Sequence, residues 1–308
     1  MKPIEIKGHL IAVEPLTVTV PGATKGFLPS YNKGHHYLPS STLRHAIRIG
    51  ALRAVYGILA AAGRPLAPEV ALMLGEGFAP DNAKDAALTW DQEMDLRERN
   101  PFLSLFGLWR LPSRLSVGNA YAVDNEGSEG HKAVRHRAGP VRKLPSGEDI
   151  VAVTGMAAHL AKMEALAAQD RADKKSKADE KDAKGSVYSL ANLADNWQEV
   201  VPGTYLDWRL TVFDSMESMA LPFLVAGFRS MAEQPWLGGH RSAGCGRYGV
   251  KLACGAEGKI EIPEPGVLLV EGIFESALKR FDQVAATGFE GIDFTAPLSP
   301  QKAAGQAA

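Results

Sequence analysis

The sequence predicts an α+β protein, on three observations. Strand-like alternation opens the chain and returns in its second half. Two stretches carry apolar residues at helical spacing. Strands and helices then mix without regular βαβ repetition, which sets the class apart from a doubly wound parallel sheet. With 308 residues, 45% of them apolar and 22% charged, the chain is long enough for one elaborated domain or two ordinary ones, each able to bury a real core.

The elements follow in order. Residues 3–20 read as one or two strands, with Ile4, Ile6 and Leu10 alternating against Glu5, Lys7 and His9. PGATKGFLPSYNKGHHYLP is full of turn formers and reads as a long loop. SSTLRHAIRIGALRAVYGILAAA reads as a helix with Ser40 or Ser41 as N-cap and a core face of Leu43, Ile47, Ala51 and Ala54. Residues 64–100 are partly helical and acidic, and FGLWRLPSRLSVGNAYAVD reads as a turn followed by a strand. QDRADKKSKADEKDAKGS has almost no apolar residues and reads as a solvated loop or frayed helix inside an insertion. GTYLDWRLTVFDS alternates, with Leu206, Trp208, Leu210 and Val212 inward. A helix from about 221 to 233 buries Phe223, Leu224, Gly227, Phe228 and Met231. Strands near Val250 and at VLLVEG and the helix FESALKRFDQVA complete the fold, and the end of the chain reads as a flexible tail.

The formal net charge of −1 conceals a pattern. No acid lies between Glu14 and Glu69, between Glu129 and Glu148, or between Glu233 and Glu257. Those intervals hold Lys25, Arg44, Arg48, Arg135, Arg137, Arg241 and Arg247 among their cations. Three acid-free basic segments predict one basic face for a polyanion. The third contains LGGHRSAGCGRYGV, where glycine permits positive φ or close backbone approach and His240, Arg241 and Arg247 meet an anion. Walker and dinucleotide fingerprints are both absent, which disfavours NTP and NAD, and no cofactor is expected. Cys245 and Cys254 are too few for a zinc site and read as reduced thiols. Asp91, Glu93 and Asp95 read as a solvated helix face, and no metal site is expected. The N-terminus lacks a signal-peptide core and the chain has no membrane-length apolar run, which predicts a cytoplasmic protein without membrane contact.

At the start of the first helix, Arg44 and Arg48 oppose the helix dipole, a conflict that a phosphate held by free backbone N–H groups and Ser40 or Ser41 would remove. His35 and His36, beside Tyr31 and Lys33, are candidate acid–base groups for metal-free RNA cleavage.

Four segments occur in a meaningful order. LPSSTLRHAIR resembles the Pro-x-Ser-Ser-hydrophobic-Arg segment of the RAMP superfamily of CRISPR proteins. SRLSVGNA, with Arg114, resembles its Ser-Arg-hydrophobic strand; VPGTYLDWRLTVF resembles its Pro-x-Gly-Thr strand; LGGHRSAGCGRYGV resembles its glycine-rich loop. Size and order resemble the Cas-seven-type backbone subunit of Class 1 effector complexes. That resemblance implies an RRM-like (ferredoxin-like) palm over 1–56, 110–128 and 202–286, a finger insertion over 57–109, a thumb insertion over 129–201 and a flexible tail over 287–308. It implies a non-catalytic partner of CRISPR RNA that polymerises with copies of itself, joins other effector subunits and presents the guide to target DNA. RNA would meet Lys25, Ser40, Ser41, Arg44, Arg48, Arg114, Arg135, Arg137, His240, Arg241 and Arg247, with close backbone approach at Gly238, Gly239, Gly244 and Gly246. Type III relatives cut RNA with an aspartate before the Ser-Ser helix, whereas Val20–Tyr37 holds no acid, a departure that points to a non-cleaving backbone, as in type IV or type I systems; the compact Pro-Ser-Ser-Thr-Leu-Arg form inclines the resemblance to type IV. The alternatives are a metal-independent CRISPR RNA-processing endoribonuclease and a type I or type III backbone subunit.

Overall fold

The structure, a computed structural model, describes residues 3–18, 28, 30–31, 35–77, 88–109, 111–123, 133–137, 197–214, 218–238 and 244–295. The chain divides into two compact units, Met1–His136 with Gln198–Ala308, and Arg137–Trp197. The second unit, and with it most of the region expected to form a thumb, lies almost wholly outside the described residues.

The class is α+β, with an antiparallel sheet. Its strands are β1 (Ile4–Ala12), β2 (Ser30–Tyr31), β3 (His35–Leu38), β4 (Leu115–Val117), β5 (Ala120–Ala122), β8 (Tyr205–Val212), β9 (Tyr248–Cys254), β10 (Gly258–Ile262) and β11 (Leu269–Gly272). They lie in the order β11-β10-β9-β1-β8-β5-β3-β2, with β4 also on β8. Strands β6 (Val134–Arg137) and β7 (Trp197–Val200) pair separately. The described helices are α1 (Ser40–Ala61), α2 (Pro68–Glu76), α3 (Trp90–Arg99), α4 (Pro101–Phe106), α5 (Ala220–Glu233) and α6 (Ile273–Ala286). Among the described residues no helix is long and apolar enough to cross a membrane.

The centre of the sheet follows the order β-α-β-β-α-β. With the β2–β3 hairpin, α2–α4 and the β6–β7 pair set aside, α1 lies between β1 and the β4–β5 strands, α5 lies between β8 and β9, and the sheet order is β9-β1-β8-β5. Alternation explains the layers: Ile4, Ile6, Leu10, Leu206, Trp208, Leu210, Val212, Val250 and Leu252 are buried beneath the helices, while their neighbours in sequence face away. Leu43, Ile47, Ala51, Val55 and Leu59 line the buried stripe of α1, whereas Ala54, expected on it, is only partly buried. Helices α1 and α5 cross at two glycines. A Cβ on Gly50 would lie 2.6 Å from the Gly227 carbonyl oxygen, and one on Gly227 would lie 2.7 Å from that of Ile47. Nothing larger fits while the two backbones touch.

Several expectations need correction. The loop before α1 contains the β2–β3 hairpin, because Ser30 and Tyr31 pair with His36 and His35. Strand β10 had no distinct reading, since its five residues merge with the turns around them. Neither Ser40 nor Ser41 is the N-cap of α1; Pro39 holds that place without a side-chain cap. The Ser40 N–H is instead taken by Asn119 Oδ1 at 2.8 Å, a cap supplied from the neighbouring strand. The tail is not free from residue 287 onward. Phe289 and Phe294 are buried, and their rings lie 6.2 and 6.4 Å from that of Phe223. The finger region also shares the core, since every residue of α4 is buried and Phe102 meets Phe223 edge-on at 5.9 Å.

Candidate nucleic-acid interface

The three acid-free segments meet at one end of the sheet. Beyond β1 the chain runs through Pro15, Leu16 and Thr17 beside the glycine-rich segment: Gly246 N–H donates to the Pro15 carbonyl at 2.8 Å. Leu16 pairs with Val200 at the end of β7. Val201 N–H donates to Ala133, which leads into β6 and its Arg135 and Arg137. Segments far apart in sequence therefore bring Arg135 and Arg247 to one end of the sheet, beside the carboxylates of Glu199 and Glu14.

Part of that charge is already used. Arg247 is half-buried with Nη1 3.7 Å from Glu14 Oε1, and its Nε is buried without a hydrogen-bond partner. Arg135 is half-exposed and its Nε donates at 2.6 Å to Glu199, a carboxylate with no exposure at all. Arg137 lies on β6. Lys25, Gly239, His240 and Arg241 lie outside the described residues.

The glycines approach backbone, but it is the chain's own. Gly238 has φ 76°, and a Cβ there would lie 2.0 Å from the Thr17 carbonyl oxygen. Gly246, at φ 110°, would place one 2.9 Å from Leu237 O. Close approach to RNA at these two is thus corrected to a lock between segments. Gly244, at φ 72°, is different: among the described residues nothing lies within 4 Å of the added carbon, so its freedom serves the turn.

The helix-start arginines also require correction. Arg48 is buried; its Nε donates to Leu74 O, and its Nη1 and Nη2 donate to Phe106 O at 3.4 Å and Met73 O at 3.3 Å. These carbonyls end α2 and α4, where cations complement the helix dipole. Arg44 is half-buried and donates to the same Phe106 carbonyl. Burial, and then the neighbouring Arg44, push Arg48 down to about 10, against a smaller pull from Glu76, so it stays cationic at neutral pH. Burial also lowers Arg44. Arg48 is a clasp between helices, not a phosphate ligand. Arg114 is likewise committed, with Nη1 2.9 Å from the buried Asp214. Ser41 is exposed on the first turn of α1 and Ser40 half-buried.

His35 and His36 lie on β3, and His36 Nδ1 is buried without a partner. On α3, Glu93 and Asp95 pair with Arg97 and Arg99 one turn on. Cys245 and Cys254 are buried, and Cys254 Sγ lies 3.4 Å from Glu257 Oε2. Among the described residues no group of three or more His, Cys, Asp or Glu side chains is placed to hold a metal ion.

Sequence reasoning missed the open face of the sheet. Across β9, β1, β8, β5 and β3 the register aligns Lys251, His9, Asp207, Tyr121 and Tyr37 in one row. A cavity of about 650 Å³ lies on this face, lined by Lys7, His9, Asn119, Tyr121, Asp207 and Arg209 among others. The signal was the outward half of each alternating strand, but only the register shows that these halves coincide.

An antiparallel α+β sheet with three acid-free segments meeting at one end and a polar, aromatic open face defines the molecule at the level of class. No protein-family model matches the chain, and no curated protein matches it in sequence.

Proposed function

We propose that the chain is a single-stranded RNA-binding scaffold: the backbone subunit of a Class 1, type IV CRISPR effector complex, without a catalytic role. The observation that carries this reading is the meeting of three acid-free segments, one of them glycine-rich, at one end of the sheet. A compact anion would need one closed nest, whereas a strip built from the 13–18 segment, β6 and the glycine-rich segment suits an extended polyanion. The β-α-β-β-α-β order supports an RRM-like palm. The order of the four sequence motifs supports the family, and the acid-free stretch Val20–Tyr37 supports a non-cleaving member.

In this reading Arg135 and Arg247 reach phosphate beyond the carboxylates they each pair with, Glu199 and Glu14, and Lys25 and Arg241 are the expected further contacts. Phosphate contacts hold the strand in register and leave bases free to pair with target DNA. Copies of the chain line up along one guide and meet the other effector subunits.

The test is binding of unrelated single-stranded RNAs over a salt series. Log affinity falls linearly with log salt, with similar slopes for all sequences, because released counterions carry no base information. An affinity that is flat between low and moderate salt would refute the proposal.

A further inference from the structure

The cavity on the open face shares no lining residue with the end where the acid-free segments meet, and it has its own chemistry. Its floor exists because Gly8, an inward position on β1, stands opposite Trp208, whose indole is buried and donates to Gly118 O at 3.2 Å. Gly118 and Asn119 interrupt the strand between β4 and β5, and Gly118 N–H donates to Arg209 O at 2.8 Å. Above this floor stand three kinds of group. Tyr121 is 40% exposed, with Tyr37 at 5.6 Å beside it, and His9 stands edge-on to Tyr205, also at 5.6 Å. Asp207 is exposed, directly opposite both His9 and Tyr121, with His9 Nδ1 3.0 Å away. Lys7 and Arg209 face each other and share one carboxylate, Glu5, at 2.6 and 3.1 Å. Those two cations hold Glu5 below its ordinary carboxylate range, so the trio keeps one net positive charge near neutral pH.

We propose that this cavity binds one unpaired nucleotide, its base stacked on Tyr121, its N–H donors on Asp207, and its phosphate on Arg209 and Lys7. A bare polyanion would be repelled by Asp207, and an apolar ligand would leave three charged side chains without water. A nucleotide satisfies all three: an aromatic face for the ring, an acceptor for the base edge and a cation pair for the phosphate. The volume is within the range of small-ligand sites. The inference rests on the RNA-binding reading only for the source of the nucleotide, an RNA strand or a free mononucleotide.

The experiment measures binding of a 12-nucleotide single-stranded RNA, an abasic strand of equal length and adenosine monophosphate. The proteins are the full chain and its Tyr121→Ala, Tyr121→Phe and Asp207→Asn variants, each checked for an unchanged melting curve. If the nucleotide comes from RNA, Tyr121→Ala weakens RNA binding roughly tenfold with an unchanged salt slope, because stacking and no phosphate contact is lost. Tyr121→Phe retains affinity, Asp207→Asn changes the ranking of the four bases, and the abasic strand shows no dependence on Tyr121. Binding of the mononucleotide without binding of RNA, lost in Tyr121→Ala, would keep the pocket and overturn the scaffold reading. RNA binding equal in wild type and Tyr121→Ala would overturn the pocket and leave the scaffold. No binding of any ligand would overturn both.

Discussion

At the scale of single residues, the arginines divide by what they already touch. Arg48 has no free donor geometry to offer a phosphate, because three carbonyls at two helix ends hold it. Its replacement by alanine removes one donor from each of three carbonyls, of which Met73 O keeps the Gly77 N–H and Phe106 O keeps Arg44, at a cost of about 1–3 kcal/mol. Urea unfolding of Arg48→Ala should show that loss, and the salt slope of its RNA binding should match wild type. Lysine should not restore stability, since a point charge cannot span three acceptors held in a fork. Arg241→Ala should behave in the opposite way, lowering the salt slope by about one unit while the unfolding midpoint stays put. Arg135 falls between them. Removing it takes one cationic partner from the buried Glu199, so both stability and RNA affinity should fall. Helical spacing put Arg44 and Arg48 on the first turns of α1 correctly; their direction was not legible, because α2 and α4 arrive from later in the chain.

At the scale of elements, glycines record where backbones touch. Gly238→Ala forces a Cβ against the Thr17 carbonyl at positive φ, whereas Gly244→Ala meets open space and only the φ penalty. That penalty is about 1–2 kcal/mol, so the first variant should lose distinctly more stability than the second in the same thermal melt. If the two lose equally, the lock between the 13–18 segment and the glycine-rich segment is absent. The contrast also shows how far sequence reading reached. A need for positive φ was legible in the glycine spacing, but its cause was assigned to RNA, and the structure places the chain's own Thr17 and Leu237 there. Alternation in β8 located its buried face residue by residue, while the five-residue β10 and the β2–β3 hairpin carried too few periods to stand out from their turns.

At the scale of the whole molecule, an elongated RNA should recruit several copies. Under the proposed function one copy covers a limited length of strand, so longer RNAs should add mass in steps of one 33.0 kDa subunit, read by native mass spectrometry. A single copy on every length of RNA would count against a filament. The steps should shrink in number as salt rises, because every copy depends on phosphate contacts.

What the sequence determined by itself is what depends on neighbours a few positions away. Apolar periodicity assigned α1, α5, α6 and the main strands, and the absence of Asp and Glu marked three basic segments. What the tertiary structure decided is what depends on groups brought together from distant parts of the chain. It joined those three segments at one end of the sheet, turned Arg48 inward onto two helix ends, and set Lys251, His9, Asp207, Tyr121 and Tyr37 in one row. The physical reason is the same in each case. Periodicity selects which face of an element is buried, whereas hydrogen-bond register and buried donors select which distant residue that face, or its opposite, will meet.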